Sequence, residues 1–264
     1  ETAYVLTGNP TTITSQSRNT ASMRGIFTSD FHMFSQRSRI EALMPQLHEA
    51  ARDADLVVLG GDIVDFKWSQ LADQETTELA ALEWLDNFLS RYPGKQLVYL
   101  AGNHDCAPTY LERLRNLAAR EERFSFYEYW YQHGDAVFLH GDVVHDSNTQ
   151  ASLEQRRSRW SDHSRQGALA NSLYNMVFCL RLPALANLLC NQARQVCPRL
   201  INYLSDIQRI PGKGIRRVFF GHTHNLLKDF EFDGLVFYNS GAPLKTLPCA
   251  VLRFSTQGDA IDGR

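Results

Sequence analysis

Seven side chains with metal-binding donors stand at intervals along the chain: Asp30, His32, Asp62, Asn103, His140, His222 and His224. Each offers a carboxylate oxygen, an amide oxygen or an imidazole nitrogen. No thiolate is among them, so the set suits Mn, Fe, Zn or Co better than a soft metal. Asp62 follows the apolar run Leu56-Val57-Val58-Leu59 and two glycines. A carboxylate is costly to bury at such a place unless something positive meets it. Having two oxygens, it is the natural bridge between two ions. Seven ligands with one shared then give four protein bonds to each of two metals. His222 and His224 are two residues apart, a spacing that points side chains the same way in extended backbone, so they could reach adjacent ions.

Charge decides what such a site would attract. Two divalent ions bring four positive charges, and Asp30 and Asp62 return two. A net positive, partly open site draws in an anion. It also lowers the pKa of bound water, so that a hydroxide nucleophile exists near neutral pH. Two ions close together can hold both the nucleophile and the oxygens of a phosphate for in-line displacement. Hydrolysis of a phosphate ester or anhydride follows from the charge; the leaving group does not.

The elements that must position these residues are legible as well. Gly25-Ile26-Phe27-Thr28 reads as a strand entering Ser29-Asp30-Phe31-His32. Gln96 to Leu100 enters Gly102-Asn103-His104-Asp105, Ala136 to Leu139 enters His140-Gly141-Asp142, and Arg217 to Phe220 enters Gly221-His222-Thr223-His224. With Leu56–Leu59, five apolar strands thus end in polar, glycine-containing loops. In open α/β sheets, ligands bind beyond the carboxyl ends of strands, so five strand ends can converge on one place. Between the strands, Ile40 to Ala51 has helical spacing at Ile40, Leu43, Leu47 and Ala51. Leu71 to Leu89 is expected to be a second helix, apolar at Leu79, Leu82, Leu85 and Leu89. Phe124 to Tyr131 alternates and predicts an antiparallel strand. Asp229 to Phe254 reads as strands with a hairpin turn at Asp233-Gly234.

With 264 residues, 44% hydrophobic and 21% charged, the chain is long enough for one globular domain with a sizeable insertion. Five cysteines with no Cys-x-x-Cys pair argue against a disulfide framework or a structural zinc site. A reducing, cytoplasmic setting is expected, and no run is long enough for a membrane span. No nucleic-acid-polymer signal is present. Residues 1–22 are expected to be a flexible leader, with Met23 a candidate start. Residues 23–258 are expected to form the main domain, with 147–216 as its insertion, and 259–264 a tail. The ending Ile261-Asp262-Gly263-Arg264 matches a protease recognition sequence as well as a natural tail.

Taken in order, Asp30-x-His32, Gly61-Asp62-x-x-Asp65, Gly102-Asn103-His104-Asp105, His140 and Gly221-His222-x-His224 resemble the calcineurin-like metallophosphoesterase superfamily. The resemblance spans roughly residues 24–254 and implies an α/β fold, a two-sheet sandwich flanked by helices. It implies one metal on Asp30, His32, Asp62 and His224, and a second on Asp62, Asn103, His140 and His222. It gives His104 no metal; His104 would instead contact the substrate phosphate or protonate the leaving group. Asp65 would orient that histidine. Mn is the first expectation for the two divalent ions, with Fe, Zn or Co as alternatives. Cys106 adjoins the site without a basic partner and is expected to pack.

Residues 147–216 separate the fourth motif from the fifth. Within 156–217 stand eleven Lys or Arg and only two acids, leaving 16 basic against 27 acidic residues elsewhere. Leu173 to Leu204 is apolar, and Pro183 and Pro198 are expected to break it into short helices. A basic, greasy helical cap over the metal site is the expectation. Arg156, Arg157 and Arg159 would grip phosphate, since Arg suits bidentate phosphate binding. The apolar face would meet acyl chains or a membrane surface. The alternative is that the apolar residues pack on the core and the arginines keep the segment soluble. Such an insertion, with Gly61 to Phe66, His140-Gly141-Asp142, Tyr238-Asn239-Ser240-Gly241 and Thr246 to Ala250, is similar to the UDP-2,3-diacylglucosamine hydrolases and their relatives. Those enzymes usually carry Arg where this chain has His104, which turns the expectation toward the less-defined relatives.

The function expected is therefore hydrolysis of a phosphodiester or pyrophosphate bond, in a small, nucleotide-linked or lipid-linked molecule. A phosphomonoesterase or cyclic-nucleotide phosphodiesterase could use the same site. A binding or scaffold module that kept the fold is the alternative from another class.

Overall fold

A computed structural model describes residues 22–145, 147–161, 192–209, 214–245, 247–256 and 260–261. Two mixed sheets face one another, and helices cover their outer sides. The first sheet has the order β10-β1-β2-β3-β4, and the second β11-β5-β6-β7-β9-β8. In the first, β1 (Met23–Thr28), β2 (Leu56–Gly60), β3 (Gln96–Leu100) and β4 (Phe124–Tyr127) run parallel, with β10 (Leu252–Thr256) antiparallel to β1. In the second, β6 (Ala136–Leu139), β7 (Arg217–Phe220) and β9 (Leu235–Ser240) are parallel. They are flanked by antiparallel β5 (Trp130–His133) and β8 (Leu226–Phe232). Ala260–Ile261, within the expected tail, pair with Gln132–His133 as β11.

The sandwich follows from period-two burial on strands that are apolar on both faces. Phe27, Leu56, Val58, Val98 and Leu100 meet Phe138, Phe219 and Tyr131 between the sheets. The rings of Phe138 and Phe219 stack at 4.9 Å. The intervening residues Ile26, Val57, Leu59, Leu97 and Tyr99 point outward, under α1 (Ile40–Asp53), α2 (Gln74–Arg91) and α3 (Pro108–Arg120). On the far side, Val137, Leu139, Val218 and Phe220 are covered by α5 (Ala193–Asp206).

Four local expectations are revised. The second helix begins at Gln74, because Asp73 caps it by accepting from Thr76 N–H at 2.7 Å. Its inward stripe is Ala81, Leu85, Phe88 and Leu89, while Leu79 is 50% exposed. Phe124 to Tyr131 is not one antiparallel strand. It divides into β4, parallel to β3, and the start of β5 in the other sheet, so alternation alone did not reveal the crossing. Pro198 does not break a helix but lies inside α5, whose buried Val196, Cys197, Leu200, Tyr203 and Leu204 hold it against the second sheet. Packing there outweighs the one backbone bond a proline removes. The Asp233-Gly234 turn does join β8 to β9, with φ of 50° and 74°, the pair of positive values that a two-residue hairpin loop requires.

Of the segment 147–216, two helices are described: α4 (Gln150–Ser161) and α5. α5 covers a sheet rather than the strand ends, as expected if the apolar residues pack on the core. Residues 162–191, which carry most of the expected apolar cap, lie outside the described residues, as do the leader 1–21 and Asp146.

Candidate metal centre

The loops after β1, β2 and β3 in one sheet and after β6 and β7 in the other meet at one end of the sandwich. Three groups of donors gather there: Asp30, His32 and His224; Asp62, His140 and His222; and His32, Asp65 and His104. His224 Nε2 lies 3.3 Å from Asp30 Oδ1 and 3.3 Å from His32 Nε2. Asp62 Oδ2 lies 3.3 Å from His140 Nε2 and 3.9 Å from His32 Nε2, between the first two groups. Six of the seven residues singled out from the sequence are thus brought together. Asn103 stands next to His104, whose N–H meets Asp62. His222 and His224 serve different groups, but not through extended backbone: both are left-handed, with φ of 63° and 57°.

Backbone strain is concentrated here. Asp30, His32 and Asp62 also have positive φ (57°, 46° and 51°), a conformation that costs roughly 1–2 kcal/mol per residue outside glycine. Close approach explains the neighbouring glycines. A Cβ on Gly102 would lie 2.2 Å from Asp62 Oδ1, and one on Gly221 would lie 2.4 Å from Asp30 Oδ2. Such strain persists only where the surroundings fix it, as at ligand sites.

Hydrogen bonds hold each donor. Asp30 accepts the Ser29 hydroxyl at 2.5 Å and the His222 N–H at 2.9 Å. Asp62 Oδ1 accepts the His104 N–H at 2.7 Å. His140 Nδ1 donates to the Gly60 carbonyl at 3.0 Å, so Nε2, aimed at Asp62, is the nitrogen a cation would take in exchange for its proton. Asp65 touches both neighbouring histidines on Nδ1, His104 at 3.1 Å and His32 at 3.4 Å. The third donor group is therefore a support for two rings rather than an ion site of its own, because His32 Nε2 already faces Asp62 and His224.

Charge within the cluster is balanced in a way that invites cations. Burial would raise the Asp62 pKa, yet His140, His104 and His32 hold it well below the ordinary carboxylate range. Burial would lower His140, but Asp62 and Asp30 outweigh this and raise it to about 10. His222, buried beside His140 and His145, is pushed well below the ordinary imidazole value and stays neutral. Burial would also lower His104, but Asp65 and Asp62 raise it to about 9. The decisive observation is that His140 Nε2, His222 Nε2 and Asn103 Oδ1 are all buried without a hydrogen-bond partner. Buried polar atoms of this kind need a partner. These three, with Asp62, are the donors expected for the second ion, so oxygen- and imidazole-loving divalent cations fit.

A sequence model of the calcineurin-like phosphoesterase family matches residues 23–226. The chain belongs to that family. No curated protein matches it closely enough to narrow the family further. The family and the His/Asp groups together fit a metal-dependent phosphoesterase, of a family that typically binds two divalent ions.

The arginines of α4 fare differently from expectation. Arg157 is no surface clamp. It is buried, donates to both Asp142 oxygens at 2.9 Å, to the Ala101 carbonyl at 2.9 Å and to the Glu128 carbonyl. Its donors are spent on pinning α4 beneath the Asn103 loop, which corrects its expected place at the phosphate. The Asp142 carboxyl, though buried, is held below its usual range by Arg157. Arg156 is half-buried and Arg159 exposed on the same helix. Arg157→Met would leave Asp142 buried and unpaired, so urea unfolding should show a loss of about 3–5 kcal/mol. The double variant Arg157→Met with Asp142→Leu should regain most of it. If the single variant unfolds like the native protein, the pair is not a latch.

Other supporting residues escaped notice in the sequence. Asp105 accepts from Ile63 N–H at 2.8 Å, Gly102 N–H at 2.5 Å and Tyr99 hydroxyl at 2.7 Å, tying the Asp62 loop to the Asn103 loop. Asn239 donates to the Gly221 carbonyl at 2.8 Å and steadies the His222 loop. Both stood inside recognised motifs, but nothing in their spacing announced what they would hold. Cys106 packs as expected: its thiol donates to Asn103 O at 3.3 Å, and burial pushes its pKa up to about 12.

Proposed function

We propose that the chain hydrolyses a phosphodiester or pyrophosphate bond, in a nucleotide- or lipid-linked molecule related to the substrates of the UDP-2,3-diacylglucosamine hydrolase branch. The single observation behind this is the pair His140 Nε2 and His222 Nε2, buried without a hydrogen-bond partner around a carboxylate that lies between two histidine clusters, with Asn103 Oδ1 likewise buried and unpartnered. Two divalent cations, Mn first among them, would supply the Lewis-acid charge and a water of lowered pKa.

The protein's own residues supply the rest. Asp30, His32, Asp62 and His224 would hold one cation, and Asp62, Asn103, His140 and His222 the other. Asn103, at the junction, would also meet the phosphate. His104 stands at the edge of the cluster with Nδ1 on Asp65, so its Nε2 can hold a proton toward the leaving oxygen. Arg156 and Arg159 remain candidates to meet an anionic substrate, and lipid contact would fall to the insertion. No described helix is long and apolar enough to cross a membrane.

The test is metal analysis coupled to turnover. Protein stripped with a chelator should be inactive toward bis(p-nitrophenyl) phosphate and regain activity as two equivalents of Mn are restored. A panel of mono-, di- and pyrophosphate substrates then ranks the leaving group. Absence of turnover with every divalent metal would leave a binding module on the same fold.

A further inference from the structure

We propose that Lys67, gripped between Trp68 and Trp160 beside His104, binds a second phosphate of the substrate, on the leaving-group side of the phosphate that is cleaved. The proposal rests on the phosphoesterase function above and adds a specificity residue to it.

A ladder of rings leads outward from the metal centre. His224 and His32 are 5.2 Å apart at their centroids, His32 and His104 4.8 Å, and His104 and Trp160 5.1 Å. Lys67 Nζ then sits 4.9 Å from the Trp160 ring and 5.9 Å from the Trp68 ring. Exposure rises along the same path: the His32 side chain is 5% exposed and that of His104 16%, while Trp160 and Lys67 are half-buried. The lysine therefore stands at the mouth of the site, one ring beyond the proposed proton donor.

Three features make it a receptor for an anion rather than a solvated charge. No aspartate or glutamate pairs with it among the described residues, although acids outnumber bases in the chain. Contact with two indole faces attracts the ammonium without using its N–H groups, so its three donors stay available to oxygen. The indoles also restrict a side chain that otherwise loses much rotamer freedom on binding.

The two tryptophans come from different parts of the chain. Trp68 lies just past the Asp62–Asp65 motif, and its ring also carries Arg37 at 4.7 Å. Trp160 comes from α4, which the Arg157–Asp142 pair fixes under the Asn103 loop. The insertion thus completes a wall of the site, reaching it through Trp160 rather than through Arg157. A pyrophosphate or a phosphorylated leaving group carries its second charge on the side where His104 stands. A simple diester of neutral alcohols or phenols has nothing to place there.

The test compares Mn-loaded native protein with Lys67→Gln and Lys67→Arg on two probes. One is bis(p-nitrophenyl) phosphate; the other is a dinucleoside pyrophosphate, read by its KM if hydrolysed and by its inhibition constant against the first probe if not. Lys67→Gln should weaken the pyrophosphate constant about tenfold, the effect of one charge-assisted contact. It should leave kcat and KM for the chromogenic diester within about twofold, and Lys67→Arg should restore the pyrophosphate constant. An equal loss on both probes, or no loss on the pyrophosphate, would overturn the role of Lys67. If native protein fails on the chromogenic diester with every divalent metal, the phosphoesterase function itself falls, and the proposal with it.

Discussion

Asp62→Ala should lose both metal equivalents and at least about a thousandfold in turnover, since metal-derived charge stabilisation is worth several kcal/mol at the transition state. The expectation comes from position. One carboxylate oxygen lies 3.3 Å from His140 and 3.9 Å from His32, so a single residue serves both clusters. His224→Ala should behave differently. His224 stands with Asp30 and His32 only, so this variant should lose one equivalent and keep the other. Asp62 also accepts the His104 N–H; Asp62→Asn keeps an acceptor of the same shape and separates loss of metal from loss of fold. Metal content per chain, measured alongside melting temperature, decides the matter. An Asp62→Asn protein that is folded and still holds two equivalents would show that Asp62 bridges nothing.

The same residue shows how far the sequence can be read. Two-faced apolar runs made β2, β3, β6 and β7 legible, because a strand buried on both sides has no polar alternation to disguise it. The donors after those strands were legible because Asp and His beside glycine gain nothing from a buried strand end unless they bind something. What was not legible depends on partners far along the chain. Arg157 looked like a surface cation, and only the fold reveals that Asp142 and two carbonyls absorb it. Trp160 and Lys67 lie 93 positions apart, and no periodicity links them. The run Phe124 to Tyr131 fooled local reasoning because its two halves join different sheets, a choice made by tertiary packing. The left-handed backbone at five of the seven donors was equally invisible: Asp and His tolerate that region without announcing it.

His104→Ala should slow hydrolysis of an alkyl phosphodiester by about 10²–10⁴-fold, the range of a lost general acid. Its metal content should stay at the native level, since its ring nitrogen Nδ1 is taken by Asp65 and its backbone N–H by Asp62. Before cations bind, the two carboxylates outweigh burial and keep His104 protonated up to about pH 9. Neighbouring divalent ions would draw that value down toward neutrality, where a proton donor is most effective. Two signatures separate an acid from a mere spacer. An ester with an acidic phenol as leaving group needs little protonation, so the variant should lose far less on it. The alkaline fall of the native pH–rate profile for the alkyl ester should also flatten in the variant. Asp65→Asn should show a mixed defect. Asp65 supports His32 as well as His104, so metal affinity should drop by about 10–100-fold along with the rate, as for other groups that orient a ligand. If His104→Ala loses metal, or if alkyl and aryl esters suffer alike, His104 is a ligand or a wall and the proton must come from elsewhere.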